Sequence, residues 1–212
     1  MSASGKRATR DVVLVPGLWM PSAVMRVLAA RLARSGYVTH VFAYRGRGPI
    51  DASVERLRGF CRQWLDERPA HFVGHSLGGA LILEMLGRHP EMRVASALLI
   101  GSPVRGCHAG RRLGVARVGQ WLMGASRPLW EEREARWRRL EPLGVIAGTQ
   151  PLGLGRILGR LPGPNDGVVC VAETAVEGMR DRALVPVGHS ALIVDRRVAQ
   201  LALRFMAEGR FA

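Results

Sequence analysis

The sequence predicts a doubly wound α/β fold, in which helices cover both faces of a mostly parallel sheet of about six strands. Short apolar runs alternate along the chain with longer segments of helical periodicity. The first run, Val12–Val15, is apolar throughout, as in a parallel strand that is buried on both faces, and it is followed by Pro16-Gly17. Parallel strands need crossover connections, which the intervening helices supply. The 212 residues suffice for one domain with a full core.

The first half of the chain supplies three strand–helix pairs. In each pair, a short apolar run precedes a segment whose apolar residues recur every three or four positions. The third helix is mostly apolar and is therefore expected at the centre of the fold. The predicted strands are Val12–Val15, Val38–Ala43 and His71–Val73, and the predicted helices are Ser22–Arg34, Ser53–Glu67 and Leu77–Gly87.

The second half supplies three further strands and a closing helix. We expect the strands at Val94–Ile100, Leu143–Ala147 and Ala183–Val187, and the helix at Arg196–Met206. The closing helix places its apolar residues on one face, as a surface helix does. Residues 1–10 are polar and basic and are predicted to form a flexible tail, so that residues 11–212 form a single domain.

Residues 105–142 interrupt this alternation between the fourth and fifth strands. They hold three of the five tryptophans and nine arginines, and Pro128 and several glycines prevent one long helix. Two interpretations are open. The segment is either an exposed helical crossover or a cap over a site at the carboxyl edge of the sheet.

The composition excludes several classes of protein. The hydrophobic fraction of 48% excludes a disordered chain, and no apolar run approaches the roughly 18 residues of a membrane span. The formal charge is +14, but Lys6 is the only lysine, which favours coding bias over a functional basic surface. We expect no nucleic-acid partner, because aromatic residues are few and no base-reading helix stands out. Peripheral contact with an anionic membrane stays open.

Cysteine usage and the start of the chain predict a cytoplasmic protein. Cys61, Cys107 and Cys170 are odd in number and widely spaced, and no C-x-x-C pair indicates zinc or redox chemistry. A reducing compartment fits this usage. The apolar run after residue 10 is shorter than the roughly 7–15 residues of a signal core. We therefore expect neither a metal nor a cofactor.

A strand-to-helix junction carries the clearest motif. Residues 74–79 read Gly-His-Ser-Leu-Gly-Gly and match the G-x-S-x-G pattern, with Ser76 at its centre. In this pattern the serine occupies a strained turn that exposes its hydroxyl, and glycines flank it because the turn crowds the neighbouring strand and helix. The position between a predicted strand and an apolar helix is the context that the motif requires. We predict that Ser76 is a nucleophile.

A catalytic serine needs a neighbouring base, because its own hydroxyl is a weak nucleophile. His189 follows the last predicted strand and would lie at the carboxyl edge of the sheet, beside Ser76. We therefore predict that His189 is the general base. The other histidines lie in strands, at the variable position of the motif, beyond the third helix or in the irregular segment: His40, His71, His75, His89 and His108.

The imidazole in turn needs a carboxylate that fixes its tautomer and supports its positive form. Asp166 lies in the loop between the fifth and sixth strands, where its carboxylate can turn toward the strand edge. Its place between Ser76 and His189 matches the chain order serine, acid, histidine. The acids at 131–141 would pair with arginines of their own segment. The remaining alternatives are Glu173, Glu177 and Asp181.

Two backbone N–H groups are predicted to hold the oxyanion. Leu77 opens the third helix, where the helix dipole favours negative charge. After the first strand, Gly17 lets the chain pass close to the serine, so the N–H of Leu18 is the second candidate. Trp19 and Met20 would line the adjoining pocket. From the irregular segment, we expect pocket contributions from Trp121, Leu122 and Met123.

Together these pieces resemble the α/β-hydrolase superfamily, in its compact bacterial lipase- and esterase-like branch. They also resemble the hydrolase core of the inositol deacylase-like lipases. The resemblance runs from about residue 11 to residue 205 and implies the triad Ser76, Asp166 and His189. The matching pieces are Val15-Pro16-Gly17-Leu18, Gly74–Gly79, Gly101-Ser102-Pro103, Asn165–Val169 and Gly188-His189.

Two departures limit what the resemblance implies. The lipase pattern often has His-Gly in the oxyanion loop, where this chain has Pro16-Gly17. The chain also starts at what would be the third strand of the full fold. Lid and chain-binding residues therefore do not carry over.

The resemblance implies a serine hydrolase that cleaves a small-molecule or lipid carboxylic ester through an acyl-enzyme. A thioesterase or an amidase would use the same groups. A non-catalytic binding module of this fold is an alternative from another class, although such proteins usually lack a triad member and none is missing here. The sequence predicts neither the acyl chain length, nor the alcohol, nor the oligomeric state.

Overall fold

The computed structural model describes residues 9–44, 46–152 and 161–212, so the predicted tail at residues 1–10 lies largely outside the described part. Six strands form one sheet with the order β2-β1-β3-β4-β5-β6, and all neighbours pair in parallel. This arrangement confirms the predicted doubly wound α/β class. The strands are β1 (Asp11–Val15), β2 (Val38–Val41), β3 (Ala70–His75), β4 (Val94–Ile100), β5 (Leu143–Gly148) and β6 (Asp181–Val185).

Helices cover both faces of this sheet. Those of the described residues are α1 (Ser22–Arg34), α2 (Ile50–Leu65), α3 (Leu77–Arg88), α4 (His108–Leu113), α5 (Arg117–Met123) and α6 (Arg196–Glu208). Helices α2 and α3 bury side chains such as Leu57 and Met85 on one face, whereas α1 and α6 bury Leu28 and Phe205 on the other. Within the described ranges, no helix combines the length and apolarity that crossing a membrane would require.

The last strand and the second helix differ from their predicted bounds. Strand β6 begins at Asp181 rather than Ala183, because it lies at the sheet edge and only alternate residues face inward. The polar residues at the start of this strand are therefore compatible with its edge position, but a search for continuous apolar runs misses them. Helix α2 begins at Ile50 rather than Ser53, since the carbonyl of Pro49 accepts the N–H of Ser53.

The irregular segment 105–142 divides into two parts. Its first part holds α4, α5 and a 3-10 helix (Gly124–Trp130), which pack with Leu77 in one apolar cluster above the carboxyl ends of the strands. Beyond this cluster, Trp137 is buried in the core on the α2–α3 face of the sheet. The first part thus packs against the start of α3 and the second part packs on the core, while a capping role for the segment stays a prediction.

Arginines of the second part fasten it to α3. Arg133 Nη1 lies 2.6 Å from a carboxylate oxygen of Glu84, which belongs to α3. Arg139 Nη1 donates to the carbonyl of Leu86, in the last turn of that helix, at 3.3 Å. Charged donors stabilise carbonyls near a helix C-terminus. Part of the arginine content of this segment is therefore structural.

We predict that Phe205→Ala strongly destabilises the fold. The ring of Phe205 is fully buried and lies so close to Gly144 of β5 that a Cβ there would come within 2.6 Å of it. Removing the ring leaves a cavity between α6 and the sheet, so the free energy of unfolding should fall by about 3–5 kcal/mol in urea titrations. Val118→Ala, at a residue that is 69% exposed, should change it by less than about 0.5 kcal/mol. A loss below about 1 kcal/mol for Phe205→Ala would contradict this packing.

Candidate active site

Ser76 lies on a sharp turn between β3 and α3. Its backbone has φ +52° and ψ −125°, outside the regions that a serine usually adopts. The strand arriving from β3 and the helix leaving as α3 both constrain this turn, and the N–H of Ser76 donates to the carbonyl of Ile100 on β4. The geometry places the serine at the carboxyl edge of the sheet, as the sequence predicts.

Close backbone contacts explain the glycines around Ser76. A Cβ at Gly78 would lie 2.1 Å from the carbonyl oxygen of Val15, at the end of β1. A Cβ at Gly74 would lie 2.5 Å from the Cα of Gly79, in the first turn of α3. Glycine at these positions lets the start of α3 lie directly against β1 and β3.

A continuous hydrogen-bonded series joins Ser76, His189 and Asp166. His189 Nε2 lies 3.0 Å from Ser76 Oγ, and His189 Nδ1 lies 2.7 Å from Asp166 Oδ2. Because a carboxylate only accepts, the imidazole proton belongs on Nδ1, and Nε2 is free to accept the serine hydroxyl proton. All three residues are buried, between 1% and 8% exposed. The structure thus brings the three residues predicted as nucleophile, base and acid into direct contact.

The loop of Asp166 is held by its own backbone hydrogen bonds rather than left free to turn. Asp166 Oδ1 accepts the N–H groups of Val168 and Val169 at 3.0 and 2.7 Å. The N–H of His189 donates to the backbone carbonyl of Asp166 at 2.9 Å, so the two loops are also joined through the main chain. These bonds leave Oδ2 directed at the imidazole.

The two predicted oxyanion donors belong to segments that flank Ser76. Leu77 is the first residue of α3, so its N–H has no acceptor within the helix. On the opposite side, Gly17 lies so close that a Cβ there would be 2.9 Å from Ser76 Cβ. Tyr44 Oη donates to the carbonyl of Pro16 at 3.1 Å and fixes this loop, which leads into Leu18. That Leu18 and Leu77 hold an oxyanion stays a prediction.

A cavity of about 350 Å³ opens beside Ser76 and His189. Its lining is mostly apolar, as in pockets that bind small organic molecules. Trp19, Met20 and Met123, three of the predicted pocket residues, are among the lining residues. The other apolar side chains around it are Leu18, Pro21, Val24, Ala109, Leu113, Trp130 and Val168.

Trp121, which the sequence predicts in the pocket, does not line this cavity. Its ring is 66% exposed and stacks on the guanidinium of Arg47, which lies 4.5 Å from the ring centroid. This cation–π contact and the hydrogen bond from Arg47 to the carbonyl of Trp121 join α5 to the loop before α2. The prediction was wrong because α5 turns Met123, rather than Trp121, toward the cavity. The side chain of Leu122 lies outside the described part of the chain.

The sequence does not predict the wall that α4 and Trp130 form. Trp130 is 7% exposed and packs against Gly110, where a Cβ would come within 2.5 Å of its ring. Helix α4 has six residues, fewer than two turns, so it shows no apolar periodicity. The tryptophan content of the segment was the available signal, but it did not distinguish Trp130 from Trp121.

Near α4, one cluster has the composition of a metal site. Ligand atoms of His108, Cys170 and Glu173 lie within 4.8 Å of one another. The Glu173 carboxylate, however, already accepts the N–H groups of His108 and Cys170 and lies 2.6 Å from His108 Nδ1. Arg111 also lies near this cluster and opposes a cation there. We interpret it as a hydrogen-bonded anchor for the start of α4.

The chain matches a known family over almost its whole length. A family model described as "Alpha/beta hydrolase family" matches residues 12–208. One relative, named "Putative non-heme haloperoxidase" from Mycobacterium phage D29, is 33% identical over 97 residues. That match covers 42% of this chain and 34% of the relative, so it spans about a third of the relative's length.

Solved structures share the fold at low sequence identity. The metagenomic carboxyl esterase MGS0156 is 19% identical with a TM-score of 0.69, and the match covers 96% of this chain and 77% of that one. The NocB thioesterase domain, solved in covalent complex with a fluorophosphonate nocardicin G analog, is 18% identical with a TM-score of 0.60. That match covers 95% of this chain and 96% of the thioesterase domain.

We predict that the three cysteines are unreactive in the folded protein. Cys61, Cys107 and Cys170 are at most 2% exposed, and burial raises the pKa of each thiol to about 12. Because the thiolate is the reactive form, these groups stay protonated and inert at pH 8. Ellman's reagent should therefore release no thionitrobenzoate from native protein within minutes, and three equivalents in guanidinium chloride. Rapid labelling of the native protein would contradict this prediction.

Proposed function

The chain belongs to the alpha/beta hydrolase family, and we propose that it is a serine hydrolase that cleaves carboxylic esters with Ser76, His189 and Asp166. The observation that carries the proposal is the hydrogen-bonded series of these residues, with distances of 3.0 and 2.7 Å, beside an apolar cavity. A nucleophile, a base and an orienting carboxylate in this order are the groups that acyl transfer requires.

The first half of the reaction forms an acyl-enzyme. Ser76 Oγ attacks the ester carbonyl while His189 Nε2 takes the hydroxyl proton, and Asp166 supports the imidazolium. Negative charge develops on the carbonyl oxygen, where the N–H groups of Leu18 and Leu77 would stabilise it. His189 then gives its proton to the alcohol oxygen as the carbon–oxygen bond breaks. The alcohol leaves, and the acyl group remains on Ser76.

The second half repeats these steps with water. His189 Nε2 removes a proton from water, and the hydroxide attacks the acyl carbonyl. The bond to Ser76 Oγ breaks as His189 returns the proton to that oxygen, and the free acid leaves. The enzyme is restored, so no cofactor enters the balance.

The cavity supports a small-molecule ester with an apolar part. Its walls include Trp19, Met20, Met123 and Trp130, which would bury apolar surface at about 25 cal/mol per Å². A thioester is the second candidate, since a thioesterase domain is among the proteins that share this fold. Contact with an anionic membrane stays a prediction from the net charge.

We predict that Ser76→Ala removes esterase activity but leaves the protein folded. Without the hydroxyl no acyl-enzyme can form, so kcat on p-nitrophenyl esters should fall by about three orders of magnitude or more. Labelling by a fluorophosphonate probe should disappear as well. The far-UV circular dichroism should match that of the wild type.

Ser190→Ala is the matched control, because Ser190 also lines the cavity and directly follows His189. It should keep both labelling and turnover. Labelling that persists in Ser76→Ala and vanishes in Ser190→Ala would move the nucleophile. A wild type that neither labels nor turns over any ester or thioester would favour the alternative, a non-catalytic binding module.

We predict that Asp166→Asn lowers kcat by up to about 10⁴-fold at neutral pH. The amide of this variant can donate to His189 Nδ1, which favours the tautomer that cannot accept the serine proton. KM should change little, because Asp166 lies behind the imidazole and not in the cavity lining. Asp181→Asn is the control and should retain activity. The assignment fails if Asp166→Asn is as active as the wild type while Asp181→Asn is inactive.

A further inference from the structure

Each polar group of His189 makes a hydrogen-bond contact, and one of these contacts is with His75. The N–H of His189 donates to Asp166 O, Nδ1 contacts Asp166 Oδ2, and Nε2 contacts Ser76 Oγ. The remaining group, the backbone carbonyl of His189, accepts from His75 Nε2 at 3.1 Å. We infer that His75 is a positioning residue that holds the general base in register with the nucleophile, an inference that rests on the proposed function.

His75 suits this role because of its place in the chain. It directly precedes Ser76, so its backbone shares the constrained turn of the nucleophile. His75 and Ser76 are adjacent in the chain, and both contact His189: His75 through the His189 carbonyl, and Ser76 through the imidazole. The three residues therefore form a closed cycle of covalent and hydrogen bonds. In this cycle, the His189 carbonyl cannot move away from the turn without breaking its buried hydrogen bond from His75. The two imidazole rings also pack together, with centroids 4.8 Å apart.

The protonation state of His75 follows from its partner. A carbonyl only accepts, so the proton of His75 lies on Nε2, and Nδ1 carries a lone pair. Burial and the neighbouring His189 hold the pKa of His75 well below its usual value. His75 therefore stays neutral and donates the same hydrogen bond while His189 gains and loses its proton.

One feature of His75 separates a positioning role from ordinary packing. Its Nδ1 is buried and has no hydrogen-bond partner among the residues that the structure describes, which disfavours the folded state. His71, on the same strand, is also buried, but its nitrogens contact Ser96 Oγ at 2.7 Å and the carbonyl of Thr9 at 3.3 Å. An apolar side chain at position 75 would remove this unpaired acceptor but would leave the His189 carbonyl without its donor. The bond that it donates to His189 is thus what offsets the cost of burying a histidine at this position.

We therefore expect His75→Leu to lower the rate much more than the stability. This substitution removes the unpaired Nδ1 acceptor, but it also leaves the His189 carbonyl without its donor. The two effects offset, so Tm should stay within about 4 °C of the wild type. Without the donor, His189 is held only on the Asp166 side and is positioned less precisely against Ser76, so kcat should fall by about 10- to 100-fold. KM should change by less than about twofold, because the lost interaction acts on the chemical steps.

His75→Gln tests whether the donated hydrogen bond is the cause. The amide nitrogen of glutamine can reach the place of His75 Nε2 and donate to the same carbonyl. This variant should return kcat to within about threefold of the wild type. Equal slowing in His75→Leu and His75→Gln would overturn the inference.

His71→Leu is the matched control, since it makes the same exchange at the other end of β3. It removes satisfied hydrogen bonds, so Tm should fall while kcat of the folded protein stays unchanged. If His75→Leu behaves like this control, with a lower Tm and an unaltered kcat, His75 has a structural role only and the inference is wrong.

Two measurements on the wild type complete the test. Should His75→Leu fail to fold, ¹⁵N spectra of histidine-labelled wild type must show His75 protonated on Nε2, and a proton on Nδ1 would overturn the inference. Fluorophosphonate labelling and ester turnover by the wild type test the proposed function separately. A wild type that labels and turns over, with His75 variants of normal kcat, refutes the role of His75 alone.

Discussion

The close approach of the α3 start to the end of β1 is the constraint on which the site depends. Gly78 lies so near the carbonyl of Val15 that no side chain fits between them. This contact fixes the turn at Ser76 and keeps the loop at Gly17 against the serine. The side chains around the serine can therefore be placed accurately only because the backbone beneath them has no room to move.

The same edge of the sheet then gathers the remaining groups. Asp166 lies in the loop after β5 and His189 follows β6, and because all the strands are parallel both loops lie at the carboxyl edge where β3 also ends. Backbone hydrogen bonds within and between these loops hold the two side chains in contact. The buried setting strengthens these hydrogen bonds and raises the penalty for leaving any polar group unpaired.

Parts of the molecule that depend on chain order were predictable from the sequence. The turn at Ser76 is marked by the local G-x-S-x-G pattern, and the alternation of strands and helices placed Asp166 and His189 at the carboxyl edge of the sheet. Parts that depend on packing between distant segments were not predictable. Trp121 and Trp130 are nine residues apart in the same segment, yet one stacks on Arg47 at the surface and the other walls the cavity. Strand β6 was misplaced for a related reason, since its status as an edge strand is a property of the whole sheet.

The two parts of the site are thus held by different physical means. Glycine contacts and main-chain hydrogen bonds fix Ser76, Asp166 and His189, and these tolerate little change. The wall opposite them comes from α4 and the 3-10 helix, whose side chains pack in a separate apolar cluster. Volume-conserving changes in such a cluster typically cost less than about 1.5 kcal/mol. Since Met123 and Trp130 belong to this cluster, the shape of the cavity can change by substitution there while the geometry of Ser76 and His189 is preserved.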